Sequence, residues 1–159
     1  MPLQSKGEFL IDVFVISISN PILVGVYKNK KLIMAYEDDG MTSDVLPSIF
    51  NKILNKYEVN GLCFVNSPGS YMSIKVSYVF LKTLAITNNI VLKAALGFHF
   101  NENSPIKALG KKYFFNENNE IVIDFLDDKE KIKKFMLPEI LDESIFSSES
   151  LPKYNLPAV

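Results

Sequence analysis

Apolar residues near the start of the chain predict three strands in quick succession. Val, Ile and Phe dominate residues 9–19, where apolar and polar positions partly alternate with a period of two. Asn20-Pro21 interrupts this first strand, and a second strand is expected over residues 22–27. The polar residues 28–31 predict a hairpin turn that leads into a third strand over residues 32–36. The three strands are therefore expected to be antiparallel.

Two longer segments predict helices with a buried strand between them. Apolar residues recur at helical spacing over residues 43–57, and Pro47 falls in the first turn, where a missing N–H group costs little. The apolar run at residues 61–65 predicts a strand, and another is expected over residues 90–96. The intervening helix over residues 72–88 is apolar most of the way round. One side of it can face the sheet, so the other side needs a second helix, a partner protein, or both.

The last third of the chain carries weaker signals. Residues 106–115 and 120–125 predict two strands joined by a hairpin loop, and residues 129–136 predict a short helix. The tail contains two prolines and several serines, and it is expected to be extended and poorly packed. The predicted organisation is an N-terminal α/β lobe over residues 1–100, a reduced second lobe over residues 101–143 with a hairpin and a short helix, and a tail over residues 144–159.

Charge and cysteine content limit the possible functions. The chain has 17 Lys, no Arg, 18 acidic residues and a net charge of −1. Proteins that bind nucleic acid usually present a basic face and use Arg, so any contact with RNA is expected to depend on a partner. Cys63 is the single cysteine, which excludes an internal disulfide and favours a reducing compartment. No apolar stretch is long enough for a membrane span, and a cytoplasmic protein is expected.

No set of residues forms a convincing catalytic or metal site. The acidic residues 37–39 fall in a loop and are expected to be solvated, and His99 lacks neighbours at metal-ligand spacing. No cofactor and no metal are predicted. The turn between the buried strand and the second helix contains Ser67, Gly69 and Ser70. It could direct backbone N–H groups at a phosphate, although it lacks the Walker lysine. The alternative is that it only turns the chain and caps the helix.

The order of these elements resembles the TsaB (YeaZ) family. The family's Gly-Pro-Gly-Ser-Phe-Thr-Gly-Leu-Arg-Ile-Gly segment corresponds to Ser67-Pro-Gly-Ser-Tyr-Met-Ser-Ile-Lys-Val-Ser77. Met41-Thr-Ser-Asp-Val-Leu-Pro47 is similar to the start of the family's preceding helix, and residues 151–157 are similar to its Pro-x-Tyr-Leu ending. The resemblance covers most of residues 9–115 and the tail. It implies a ribonuclease-H-like lobe of the actin, hexokinase and Hsp70 superfamily, with a mixed sheet, helices and a reduced second lobe.

The chain departs from the family at the end of its first strand. Family members usually have an Asp there, and this chain has Ser17. A carboxylate at this position would help to hold a metal or a water molecule at a nucleotide phosphate. A nucleotide site within this chain is therefore not expected.

The resemblance also implies a function. TsaB proteins are bacterial, non-catalytic subunits that bind TsaD, the subunit that transfers a threonylcarbamoyl group to a tRNA adenosine next to the anticodon. They use the two helices of the first lobe, can form homodimers through the same surface, and are joined by the ATPase TsaE. The corresponding partner-interface residues here are expected to be Leu46, Ile49, Phe50, Ile53, Leu54, Val76, Val79, Phe80 and Thr83.

Three alternatives stay open at this point. The apolar residues on the two helices could all belong to the chain's own core. The protein could be a small-molecule kinase or a phosphate-ester hydrolase of the same superfamily. It could also be a homodimeric structural protein without a TsaD partner.

Overall fold

The computed structural model describes residues 10–154. Its first half contains the strands β1 (Leu10–Ile16), β2 (Ile22–Lys28), β3 (Lys31–Asp38), β4 (Glu58–Ser67) and β5 (Leu92–Leu96), and the helices α1 (Thr42–Lys56) and α2 (Tyr71–Thr87). Its second half contains the strands β6 (Ile106–Lys107), β7 (Lys112–Glu117) and β8 (Glu120–Phe125). Short 3-10 helices lie at Gly97–Phe100 and Glu143–Ile145. The five strands and two helices predicted for the first half are confirmed.

The first five strands form one mixed sheet in the order β3-β2-β1-β4-β5. β1, β2 and β3 are antiparallel neighbours, whereas β4 lies parallel to β1 and β5 lies parallel to β4. Asn29 and Lys30 have φ values of 51° and 67° and make the tight turn between β2 and β3. Two successive residues with positive φ are typical of the two-residue hairpin turn that matches the twist of the strands.

The two faces of the sheet bury two separate apolar clusters. Val13 and Val15 of β1 point to the side covered by α1 and α2, and Phe14 and Ile16 point to the opposite side. This alternation follows from the period of two along a strand. All four of these residues are buried, so the sheet needs a cover on each face.

A small antiparallel sheet, in the order β6-β7-β8, packs on the face away from the helices. Ile106 and Phe114 are a cross-strand pair and are both buried against that face. The prediction of one continuous strand over residues 106–115 is wrong, because the chain turns at Gly110, which has a φ of 61°. The hairpin between β7 and β8 is confirmed.

The predicted short helix over residues 129–136 is absent. Its backbone N–H groups bond elsewhere: that of Lys133 donates to the Ser104 hydroxyl at 3.0 Å, and that of Met136 donates to the Phe100 carbonyl at 2.9 Å. An eight-residue helix has little stability of its own. Hydrogen bonds to Phe100 and Ser104 take the place of the hydrogen bonds that a helix would form within residues 129–136.

Residues 139–154 form a strap across the face of the sheet opposite the helices. Near its start, the N–H group of Leu141 donates to the Lys30 carbonyl at 2.8 Å. Further along, Ser147 and Ala94 exchange two backbone hydrogen bonds, each of 2.8 Å. The strap therefore pairs with both edges of the sheet. Strand edges carry free N–H and C=O groups that favour such pairing.

The prediction of a poorly packed tail is wrong for the described residues. The Phe146 ring packs edge-on against Phe14, with centroids 5.3 Å apart, and Ser150 is buried. At the end of the strap, the Tyr154 ring lies 4.3 Å from that of Tyr71 at the start of α2. The last part of the predicted tail, residues 155–159, lies outside the described residues. The predicted boundaries of the lobes remain predictions.

Within residues 10–154, none of the helices has both the length and the apolar character that crossing a membrane requires.

The strap generates a prediction about stability. Leu141 and Leu151 both belong to the strap, and the Leu141 side chain is buried whereas the Leu151 side chain is exposed. Leu141→Ala is expected to lower the free energy of unfolding by about 3 kcal/mol, because it removes buried methyl groups and leaves a cavity. Leu151→Ala is the matched control and is expected to change it by less than about 0.5 kcal/mol. Urea unfolding measures both. Equal effects of the two substitutions would show that the strap is not part of the folded core.

Candidate partner-binding groove and the Pro-Gly turn

The two helices lie side by side on the sheet, and α2 is only partly covered. Its buried residues are Ile74, Ser77, Leu81 and Ala85, which recur every three to four positions on one side. On the opposite side, the apolar residues are exposed or half-buried. The chain itself therefore covers only one side of α2. Apolar side chains on the other side remain accessible, as the all-round apolar pattern of this helix predicts.

Four of the predicted interface residues belong to the core instead. Leu46, Ile49, Phe50 and Ile53 are all on α1 and are at most 5% exposed. They form the side of α1 that faces the sheet and α2, with the Phe50 ring 5.2 Å from Phe80. Their prediction as partner contacts is corrected, because an apolar stripe on a surface helix first serves its own core.

The other five predicted residues are at least partly accessible. Val79 is 55% exposed and Leu54 is 44% exposed. Thr83 is also exposed, and its hydroxyl already donates to the Val79 carbonyl at 2.7 Å, so it needs no outside partner. Val76 and Phe80 are half-buried. The structure brings four of these five together, and Leu54 lies apart from them near the end of α1.

A shallow apolar groove runs between α2 and the start of α1. Its volume is about 500 Å³. Its lining consists of Thr42, Ser43, Pro47, Met72, Lys75, Val76, Val79, Phe80, Thr83 and Leu84. We call this the α1–α2 groove. Its apolar walls and its position on the surface are typical of a site for another protein segment.

Six of the groove residues were not among the predicted site residues: Thr42, Ser43, Pro47, Met72, Lys75 and Leu84. A signal for Met72 was present, because Met72, Val76, Val79 and Thr83 are spaced by four, three and four residues. This spacing places side chains on one side of a helix. The groove residues on α1 are Thr42, Ser43 and Pro47. They could not be predicted from the local sequence, because their place in the groove depends on how α1 packs against α2.

The turn before α2 has the predicted strand, turn and helix arrangement. Ser70 is the N-cap residue of α2, but its hydroxyl makes no capping hydrogen bond. Gly69 packs against Ile18, and a Cβ atom at Gly69 would lie 2.9 Å from the Ile18 Cγ2 atom. This close approach explains the glycine without a ligand. Ser67 is fully buried. Phosphate binding at Ser67, Gly69 and Ser70 remains a prediction.

Ser17 is buried directly after the end of β1. Its hydroxyl and that of Ser77 on α2 form a buried hydrogen bond. Two neutral hydroxyl groups supply none of the negative charge that a divalent cation prefers. Within residues 10–154, no cluster of three His, Cys, Asp or Glu side chains could hold a metal ion.

The remaining candidate side chains have structural roles or are solvated. Cys63 is buried, and burial raises the pKa of its thiol, which is therefore protonated at neutral pH. His99 is exposed on a 3-10 helix. The acidic residues 37–39 are exposed, and the Asp38 carboxylate accepts a bond from the Gly40 N–H group. None of these residues lines the α1–α2 groove.

The described architecture is a ribonuclease-H-like α/β fold, with a mixed five-stranded sheet covered on one face by two helices. Among solved structures, YeaZ from Pseudomonas aeruginosa is similar to this chain, with a TM-score of 0.59 and 10% sequence identity. Another is described as an uncharacterized protein with similarity to peptidase YEAZ from Pseudomonas aeruginosa, with a TM-score of 0.58 and 10% identity. The predicted fold class is thus confirmed.

Each match covers 77% of this chain and 62% of the other structure, so the chain spans less than two thirds of the length of these neighbours. Beyond β5, the described residues contain the three-stranded sheet, two short 3-10 helices and the strap, but no further α-helix. This small second part agrees with the reduced second lobe in the predicted fold class. Searches of protein-family models and of curated proteins find no match.

The Ser17–Ser77 pair generates a prediction about coupling. Ser77→Ala leaves the Ser17 hydroxyl buried without its partner, and the expected loss of stability is about 1–3 kcal/mol. Adding Ser17→Ala removes that unpaired hydroxyl, so the double variant is expected to lose less than the sum of the two single variants. Urea unfolding of all four proteins gives the coupling energy. Strictly additive losses would contradict a hydrogen bond between these side chains.

Proposed function

We propose that this chain is a divergent member of the TsaB (YeaZ) family and a non-catalytic scaffold subunit. In this role it binds a TsaD-type subunit and supports threonylcarbamoyl modification of a tRNA adenosine next to the anticodon. The TsaE ATPase joins through the pair of subunits. The observation that carries the proposal is the α1–α2 groove, on a chain whose fold is that of YeaZ.

The groove has the properties of a protein interface. Met72 is 62% exposed and Val79 is 55% exposed. The two side chains lie about two turns apart on the same side of α2. Covering such side chains is favourable by about 25 cal/mol per Å² of apolar surface removed from water. Lys75 also lines the groove, and its Nζ atom lies 5.6 Å above the Tyr71 ring. A long lysine stem can cover apolar surface while its ammonium group stays in water, so it need not oppose docking.

The charge of the chain favours an indirect role with tRNA. The chain has 17 Lys, no Arg and 18 acidic residues, and its net charge is −1. Binding to a phosphate backbone is driven mainly by positive charges that release counterions. A partner subunit is therefore proposed to hold the tRNA, while this chain supports the partner.

The non-catalytic assignment rests on the end of β1. A small-molecule kinase or phosphate-ester hydrolase of this superfamily would use a carboxylate there, and this position holds Ser17 bonded to Ser77. The isolated subunit is proposed to form a homodimer through the α1–α2 groove. In that state, the TsaD-type partner is proposed to replace the second copy.

Val79 is the position that tests this proposal most cleanly. Phe80 is unsuitable, because it is half-buried and its ring packs on Phe50, so Phe80→Asp would also damage the core. Val79→Asp places a charge in the centre of the proposed contact, where burial without a partner is costly. We expect binding to the TsaD homologue of the same organism to weaken at least about tenfold, or 1.4 kcal/mol.

Leu109→Asp is the matched control. Leu109 is 65% exposed in the turn between β6 and β7 and does not line the groove. Co-expression followed by size-exclusion chromatography and calorimetric titration measures both variants. Normal binding by Val79→Asp, or equal weakening by Leu109→Asp, would reject the groove as the partner site. Thermal unfolding checks that both variants fold.

A further inference from the structure

A regularly spaced row of side chains runs along the outer side of α2. Its members follow one another at intervals of four, three, four and three residues, and they are Met72, Val76, Val79, Thr83 and Ile86. We call these five residues the outer row. Val76 is half-buried and the other four are exposed, with Ile86 at 70%. A mean spacing of about 3.5 residues is the repeat with which one helix packs along another, so the outer row suits a helix as its partner.

Two lysines border the outer row. Lys75 and Lys82 are seven residues apart, so they project from the same side of α2, and each directly precedes a member of the row. At about 3.6 residues per turn, the two lysines fall on one side of the row, and Phe80, which packs on Phe50 of α1, falls on the other. In packed helix pairs, such flanking positions carry the charges that determine the choice of partner.

The two lysines form no ion pair within residues 10–154, because both ion pairs found there belong to Lys30. α2 contains no acidic residue, and α1 contains only Asp44. The acidic residues 37–39 lie before α1, near the Met72 end of the row. Lys82 is about 15 Å further along α2 than Met72. With four lysines and one acid, the helix pair is positively charged, although the chain has a net charge of −1.

Charge separates the two candidate occupants of the α1–α2 groove. A partner helix with carboxylates along one border would pair with both lysines, and such complementarity speeds association and excludes wrong partners. A second copy of the chain would bring an equally basic pair of helices to the same surface, and like charges across an interface are unfavourable. The apolar contacts of the outer row are available to either occupant. The lysines therefore discriminate between the two.

We propose that Lys75 and Lys82 make the α1–α2 groove selective for a partner helix bordered by acidic residues and disfavour its occupation by a second copy of this chain. The inference rests on the proposed function, because it concerns the same groove, and it adds the chemistry by which the partner is chosen. The outer row supplies the apolar contact, and the two lysines determine which helix is accepted.

A double variant tests the selectivity for the partner. Lys75→Gln combined with Lys82→Gln removes two charges, and we expect affinity for the TsaD homologue of the same organism to fall about tenfold. Raising NaCl from about 0.05 M to about 0.5 M is expected to weaken the unsubstituted complex more than the variant complex, because salt screens charge pairs. Calorimetric titration measures both, and thermal unfolding checks that the variant folds.

Lys111→Gln combined with Lys131→Gln is the matched control. Both lysines are exposed outside the two helices, and the net charge changes by the same amount. Unchanged affinity in the first double variant, or equal weakening in the control, would overturn the proposal.

Self-association of the same variant tests the discrimination against a second copy. We expect Lys75→Gln with Lys82→Gln to form the homodimer more tightly than the unsubstituted chain, because two like charges are removed from each copy. Sedimentation equilibrium of the isolated chains measures this. Damage to the groove would weaken both kinds of complex, so opposite shifts identify an effect of charge. Equal or weaker self-association of the variant would overturn the proposal.

The outcome can be separated from that of the proposed function. If Val79→Asp loses the TsaD homologue and the lysine variant binds it normally, the groove is retained as the partner site and this inference is wrong. If no complex forms at all, both are wrong. Binding of tRNA by the isolated chain that the lysine variant loses would also overturn the inference, since it would assign the two lysines to a phosphate backbone.

Discussion

Burial of the central sheet on both faces is the constraint on which the rest of this structure depends. The strands β1, β2 and β4 are made almost entirely of buried residues in their central parts. A sheet of this kind is stable only when each face is covered by another layer. The helices α1 and α2 cover one face, whereas the small sheet and the strap cover the other. Each covering layer buries apolar side chains of its own against the sheet. The surfaces that these layers leave uncovered remain accessible to other molecules.

The two covers leave two different kinds of surface. On the helical side, α2 uses one of its sides for the core, and its apolar outer side remains accessible as the α1–α2 groove. This open, apolar surface suits another protein. On the opposite side, the strap is held to both sheet edges and borders a half-open cavity that Lys93 also lines.

Local sequence patterns predict most of the first lobe and little of the second. The apolar runs of β1 to β5 predict the strands of the sheet. The apolar residues on all sides of α2 predict that the side facing away from the sheet contacts another helix or another protein. The apolar stripe of α1 has the same spacing whether it faces a core or a partner, so the burial of Phe50 could not be predicted from it. The strap depends on backbone pairing of Ser147 with Ala94 and of Leu141 with Lys30. Such pairing joins distant parts of the chain and leaves no periodic signal, so the position of the strap cannot be predicted from local sequence.

The central claim is that the outer side of α2 is the contact surface for a TsaD-type subunit, and the native methionines allow a direct measurement. Met72 lines the α1–α2 groove, whereas Met136 is 71% exposed and lies outside it. With labelled methionine methyl groups, the NMR signals of both residues can be followed while the unlabelled TsaD homologue is added. The account predicts that the Met72 signal shifts or broadens as the complex forms and that the Met136 signal keeps its position. A complex that forms while the Met72 signal stays unchanged would contradict it.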